Sequence, residues 1–347
     1  MKPHLEMTLD NFMKDYYRSF GNSGYLRVTL KDDIIYQNSV GFADAENKIP
    51  FSEDSVFTIY SISKPFCAIG LLKLAEQNVI DIDTHPGAYV PEAKPFDSAL
   101  TVRHMLQHIS GLPDFVQTAK FGERYFEGLS CHIREHLKEL SAYPMVFKPG
   151  EGEMYANINY IMCALIIENM TGMSYGEYMQ KEIFTPLGMY KAQVDRKGLI
   201  VDKRVKGYEI QDGEIVCVER DLNWLFGAGD IIATADDVYC LNKALKHRLL
   251  LKDSTWLEIL TPSPLNSMGL GCTISSWHGK KRVTHNGGSR GFRTMHIHVL
   301  EDDLDIIFLS NSGWGEARAD YAEAVYEAFY GKDDIASETV KMDVGYI

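Results

Sequence analysis

Residues 59–66 read Ile-Tyr-Ser-Ile-Ser-Lys-Pro-Phe, which sets the hydroxyl of Ser61 three positions before the amine of Lys64. A serine hydroxyl is a weak nucleophile at neutral pH unless a neighbour takes its proton, and an amine is a candidate for that task. Positions i and i+3 share a helix face, so the two side chains can meet. Pro65 lacks an amide proton and fits only the first turn of a helix, where that donor has no intrahelical partner. The spacing therefore predicts that Ser61 lies at a helix N-terminus, where free amides and the positive end of the dipole favour an oxyanion. A serine cap followed by a surface lysine would give the same letters. The rest of the chain has to decide.

Two further stretches carry chemistry. In Lys148-Pro149-Gly150-Glu151-Gly152-Glu153-Met154-Tyr155-Ala156-Asn157 a glycine-rich turn delivers Tyr155 and Asn157 just before a helix. A phenol can shuttle a proton if nearby cations lower its pKa, and an asparagine amide can hold a substrate amide by donor and acceptor together. An N-cap asparagine beside a packing tyrosine is the plainer reading. In His285-Asn286-Gly287-Gly288-Ser289, between two expected strands, the glycines either let a backbone amide approach a ligand or mark a turn or bulge. Arg290 and Arg293 follow, and they either bind a substrate carboxylate or face solvent.

The elements that must position these groups show in the hydrophobic pattern. Leu5, Leu9, Phe12, Met13, Tyr16 and Phe20 fall at helical spacing. Tyr25 to Leu30 and Ile34 to Val40 flank Lys31-Asp32-Asp33 and read as a β-hairpin. From about residue 61 to 250 the pattern is mainly helical, with helices expected at Phe66 to Gln77, Val102 to Ile109, Ile158 to Met170 and Tyr175 to Ile183. Strand character returns at Gly271 to Trp277, Arg282 to His285, Thr294 to Leu300 and Leu304 to Ser310, before a last helix over 317–330. Strands at both ends around a helical middle predict one sheet built from both termini, with a cleft beside an inserted lobe. The expectation is a single domain over 1–347, an α/β lobe of 1–60 and 255–335 with a helical lobe of 61–254.

Taken in order, Ser61-Ile62-Ser63-Lys64, Tyr155-Ala156-Asn157 and His285-Asn286-Gly287 resemble the three motifs of the serine β-lactamase and penicillin-binding protein superfamily. The branch is the class C-like one, which includes D-stereospecific peptidases and esterases. The stretch Thr101 to Pro113, ending in Ser110-Gly111-Leu112-Pro113, is similar to that branch, as are Gly227-Ala228-Gly229-Asp230 and Thr234-Ala235-Asp236-Asp237. The resemblance implies an α/β (α+β) fold, class C β-lactamase-like, with an antiparallel sheet flanked by helices and a mainly helical lobe. It implies Ser61 as the nucleophile that forms an acyl-enzyme, and Lys64 as the group that holds the hydroxyl and helps take its proton. Tyr155 becomes general acid to the leaving group and base for the deacylating water. Asn157 orients the substrate amide, His285 stands at the head of the third motif, and the amides of Ser61 and Gly288, the latter just after Gly287, form the oxyanion hole. β-Lactamases of this branch carry lysine where this chain has His285, the choice of its peptidases and many esterases. The implied function is a serine hydrolase acting on a small amide or peptide without metal or organic cofactor. A carboxylesterase or β-lactamase on the same site is the alternative, as is a penicillin-binding or sensor protein with slow deacylation.

A rival enzyme class has a toehold in His132-Ile133-Arg134-Glu135-His136, which matches the inverted zinc-peptidase motif H-x-x-E-H. Ile133, Leu137 and Leu140 form that helix's apolar stripe, which leaves the histidines on its flank. His104 and His108, also four apart, are expected to support the Ser-Gly-Leu-Pro turn. The glycines at 287, 288 and 291 lack the partners of a nucleotide-binding loop. A formal net charge of -13 argues against nucleic acid or anionic membrane as partner. The first twenty residues do not read as a signal peptide, so a cytoplasmic location is the expectation. The six cysteines, with no C-x-x-C pair, read as buried reduced thiols.

Overall fold

Alternation of apolar residues near both ends of the chain becomes a six-stranded sheet in the computed structural model, which describes residues 3–114, 132–218, 221–277, 279–313, 325, 326 and 329. The strands are β1 (Gly24–Leu30), β2 (Asp33–Val40), β3 (Thr273–Trp277), β4 (Lys280–Ser289), β5 (Phe292–Val299) and β6 (Leu304–Ser310). Their order is β3-β4-β5-β6-β1-β2, and every neighbouring pair is antiparallel. The N-terminal hairpin thus docks on the last strand, so the sheet is built from both ends as expected.

β6 shows why the sheet sits in the interior. All its residues are buried, yet Ile306 and Phe308 join one apolar cluster while Ile307 and Leu309 join another. Successive side chains point to opposite faces, and a strand covered on both reads as a continuous apolar run. On one face Leu26, Val28, Met295 and Ile297 meet Leu9, Met13 and Tyr16 of helix α1 (Pro3–Phe20). The other face joins the large core shared with the helices.

Those helices are α2 (Ser63–Glu76), α3 (Val102–Leu106), α4 (Ile133–Leu140), α5 (Asn157–Thr171), α6 (Tyr175–Met179), α7 (Ala235–Lys246) and α8 (Asp253–Ile259). α2 and α5 pack on each other and are buried around most of their circumference. Both are apolar all round and lack a single stripe, as helices enclosed by neighbours are. α5 stops at Gly172, whose φ of 70° is the left-handed conformation glycine takes at helix ends.

The middle of the chain holds more strand than its pattern suggested. Gly207–Gln211 and Glu214–Val218 form a hairpin, and Phe57–Thr58, Gln193–Val194 and Ile231–Ala233 form a three-stranded sheet. The expected last helix falls mostly outside the described residues, although Val325 and Tyr326 join the cluster beside α1.

Candidate active site

Ser61 lies in a one-turn 3-10 helix, Tyr60–Ile62, that runs directly into α2. Pro65 is the third residue of α2, in the first turn where its missing N–H costs nothing. Tyr60, just before the serine, has a φ of 46°, a conformation rare outside glycine. Backbone strain of this kind is held only where surrounding structure over-determines it. Here the clamps are the Ile59 N–H, which donates to the Ile231 carbonyl at 3.1 Å, and the Ile59 carbonyl, which takes the Thr294 hydroxyl at 2.9 Å.

Lys64 is fully buried, and all its hydrogen bonds converge on the site. Its Nζ donates to Ser61 Oγ at 2.9 Å, to Asn157 Oδ1 at 2.8 Å and to the Ala228 carbonyl at 2.7 Å. Burial pulls its pKa down to about 7, against the attraction of Asp114 and Asp230. The amine is therefore partly neutral near pH 7, with a lone pair available to the serine proton. The Ala228 carbonyl is held by the turn around it: Asp230 Oδ2 accepts the Gly227 N–H at 3.0 Å. Gly227 has a φ of 71°, and a Cβ there would lie 2.5 Å from that of Ala164.

Tyr155 and Asn157 reach the site from the start of α5. The Asn157 N–H donates to Asp114 Oδ2 at 2.6 Å, so Asp114, outside the helix, supplies the cap that the plainer reading gave to the asparagine. That frees the Asn157 side chain for Lys64, and its Nδ2, also buried, has no hydrogen-bond partner among the described residues. The Tyr155 ring lies 4.7 Å from Lys64 Nζ and 6.4 Å from the His285 ring. Burial raises its pKa, and a hydrogen bond with Ser61 only partly offsets that. Tyr155 is a proton donor at neutral pH.

The third motif sits inside β4, not at its end. A Cβ on Gly287 would lie 2.2 Å from the Ile59 carbonyl, 2.3 Å from Thr294 Oγ1 and 3.1 Å from the Ser61 nitrogen. Only glycine lets β4 close on the nucleophile's turn, which sets Gly287 against the Ser61 amide, one residue before Gly288. His285 is buried; its Nδ1 donates to the Asn286 carbonyl at 2.7 Å, and burial, with Lys64 nearby, lowers its pKa to about 3. The ring is neutral, where a lysine would bring a charge.

The arginines beyond the motif are engaged by the protein. Arg293 Nη1 donates to the carbonyls of Ser289 and Phe292, and Arg290 Nε lies 3.8 Å from Glu209 Oε2. The zinc motif is not assembled. His132 and Glu135 are exposed at the start of α4, whereas His136 is buried edge-on to Trp224 at 5.4 Å. Among the described residues His298, Asp303 and Asp305 also come together, but Asp305 accepts from His298 and Asn242, and Asp303 pairs with Lys246. Sequence reasoning gave no site role to the Ala228 carbonyl, to Asp114 or to Asp230. The only signal for them was that Ala228 and Asp230 lie in the Gly-Ala-Gly-Asp stretch and Asp114 directly follows Ser-Gly-Leu-Pro.

The chain is similar to several known proteins. It is 28% identical over 327 residues to penicillin-binding protein 4* of Bacillus subtilis, covering 85% of this chain and 69% of that one. It is 24% identical over 299 residues to a D-aminopeptidase of Gluconobacter oxydans, covering 84% of this chain but only 56% of the relative's length. The solved D-amino acid amidase of Ochrobactrum anthropi SV3 superimposes with a TM-score of 0.80 at 22% identity, over 94% of this chain and 98% of the other. EstCE1, a hydrolase with promiscuous acyltransferase activity, gives 0.81 at 17% identity, over 94% and 99%. These superpositions establish the expected fold, and a sequence model of the beta-lactamase family matches residues 11–328. The chain belongs to the beta-lactamase family.

Proposed function

We propose that this protein is a serine hydrolase that cleaves a small amide or peptide through an acyl-enzyme on Ser61, and that one domain spanning the chain carries the activity. The observation that carries the reading is the buried Lys64 amine, 2.9 Å from Ser61 Oγ with its pKa brought down to about 7. Neutral Lys64 takes the hydroxyl proton as Ser61 Oγ bonds to the substrate carbonyl carbon. The oxyanion is held by the amides of Ser61 and Gly288, where loss of one donor costs ~100-fold or more in rate. The carbon–nitrogen bond then breaks, the leaving amine takes a proton from the Tyr155 phenol, and the Lys64 ammonium restores it. Water attacks the acyl-enzyme with its proton passing back along the same path, which frees the acid and regenerates Ser61.

Two features support an amide of the D-stereospecific, penicillin-recognising type. Asn157 keeps an Nδ2 donor beside Lys64 that has no partner among the described residues and is suited to a substrate carbonyl. The relatives and solved neighbours include D-aminopeptidases and D-amino acid amidases. The test compares hydrolysis of D- and L-phenylalanine amide by the protein and its Ser61→Ala variant. Release of ammonia from the D-form, lost in the variant, is expected; equal release by the variant would refute the mechanism, and preference for the L-form would refute the stereochemical assignment.

A further inference from the structure

Building on the acyl-enzyme reading, we propose that His108 is the positioning residue of Tyr155: a neutral imidazole, protonated on Nε2, that clamps the backbone on both sides of the tyrosine and covers one face of its ring. The His108 carbonyl accepts the Met154 N–H at 3.0 Å, and its Nδ1 accepts the Ala156 N–H at 3.1 Å. These are the amides immediately before and after Tyr155. The imidazole stacks on the Tyr155 ring with centroids 4.3 Å apart and planes 22° from parallel. One residue thus fixes the phenol at three points.

The tautomer follows from the partners. A backbone N–H only donates, so Nδ1 must present its lone pair and the proton resides on Nε2. The Asn159 amide nitrogen approaches the same Nδ1 at 3.1 Å, and its Oδ1 takes the Ser110 hydroxyl at 2.7 Å. An imidazolium would need a proton on Nδ1, aimed at another donor, and would break the clamp. Burial, reinforced by Lys64 and His285, keeps the ring neutral. His108 has a φ of 57° and is 1% exposed. The following turn holds it there: the Ile109 N–H donates to the His104 carbonyl at 3.0 Å, and the Gly150 N–H to the Ile109 carbonyl at 2.9 Å. The Ser-Gly-Leu-Pro turn is in this account the frame that keeps Tyr155 aimed at Ser61.

The test separates positioning from plain stability by using two leaving groups. A fluorophosphonate expels fluoride, which needs no proton from Tyr155; D-phenylalanine p-nitroanilide expels an aniline, which does. His108→Phe keeps a ring and removes the acceptor, and it should label within about threefold of the wild-type rate while hydrolysing the anilide at least ~10-fold more slowly. His108→Asn restores an acceptor near the Nδ1 position and should recover part of that loss. Nitrogen NMR of the wild type should show Nδ1 unprotonated from about pH 5 to about pH 9. Unchanged anilide hydrolysis by His108→Phe, parallel loss of both reactions, or a protonated Nδ1 in that range would each overturn the proposal. Absence of labelling in the wild type would instead overturn the serine-hydrolase reading, and the NMR result would still decide the tautomer.

Discussion

Lys64 binds its proton less tightly than a lysine in water because burial removes the ammonium's hydration, and this shift governs how the site responds to pH. With its pKa at about 7 in the folded protein against an ordinary 10.5, it loses its proton on folding throughout the interval between the two. The unfolded chain then binds more protons than the folded one, so this group's contribution to stability improves as pH rises from about 7 to 10.5, and its penalty is complete below about 7. Reactivity follows the same neutral form. Fluorophosphonate labelling of Ser61 should accelerate as pH rises through about 7, and a rate independent of pH there would remove Lys64 as the base. Asp114 gives the larger carboxylate attraction to the ammonium, so Asp114→Asn should move that limb to lower pH. Lys64→Ala should lower the labelling rate by ~100-fold or more, since general-base assistance is typically worth that much; a variant labelled at the wild-type rate would leave the amine a spectator. At this scale the sequence was informative where side chains act: spacing alone put Ser61 and Lys64 on one face. It was silent on the Ala228 carbonyl, because a backbone acceptor has no letter of its own. For Tyr155 it left the direction of the pKa shift open, because burial, which raises it, depends on the fold and not on the neighbouring letters.

The strands and turns that bring the motifs together depend on close backbone approach, and the third motif shows how tightly. Gly287→Ala would drive a methyl into the Ile59 carbonyl and Thr294 Oγ1, neither able to retreat without moving the nucleophile's turn. Overpacking of this kind costs about 1–3 kcal/mol, so the variant should show a lower denaturant midpoint together with loss of Ser61 labelling. Full labelling would mean that the strand is not held against the turn. The glycines were read as either a ligand approach or a turn; the structure makes Gly287 a close approach of the strand to the turn that carries Ser61. The hairpin at Gly207–Val218 was legible but missed. Asp212 and Gly213, with φ of 51° and 85°, form the two-residue turn that Asp-Gly favours between alternating apolar residues.

Across the whole molecule, α7 is tied to the sheet through buried polar groups as well as apolar packing. Asn242 of α7 contacts His296 of β5 through Oδ1 and donates from Nδ2 to Asp305 of β6, which also accepts from His298 at 2.7 Å. Removing one partner leaves buried groups unsatisfied at about 1–3 kcal/mol. Asn242→Leu should therefore lower the urea midpoint, and an unchanged midpoint would show that water replaces the amide. The sheet itself was readable from both ends of the chain, since period-two alternation reports local geometry directly. Links such as this one were not, because they join residues 54 and 63 positions apart with no local pattern. The motifs fixed the family, whereas the helical middle hid small strands of two or three residues whose partners lie far along the chain. The most direct test of the central claim is intact-mass analysis with peptide mapping after exposure to a fluorophosphonate, for the protein and its Ser61→Ala variant. One adduct on Ser61, absent from the variant, is the predicted result; no adduct on the folded protein, or an adduct that persists in the variant, would contradict an activated nucleophile at this position.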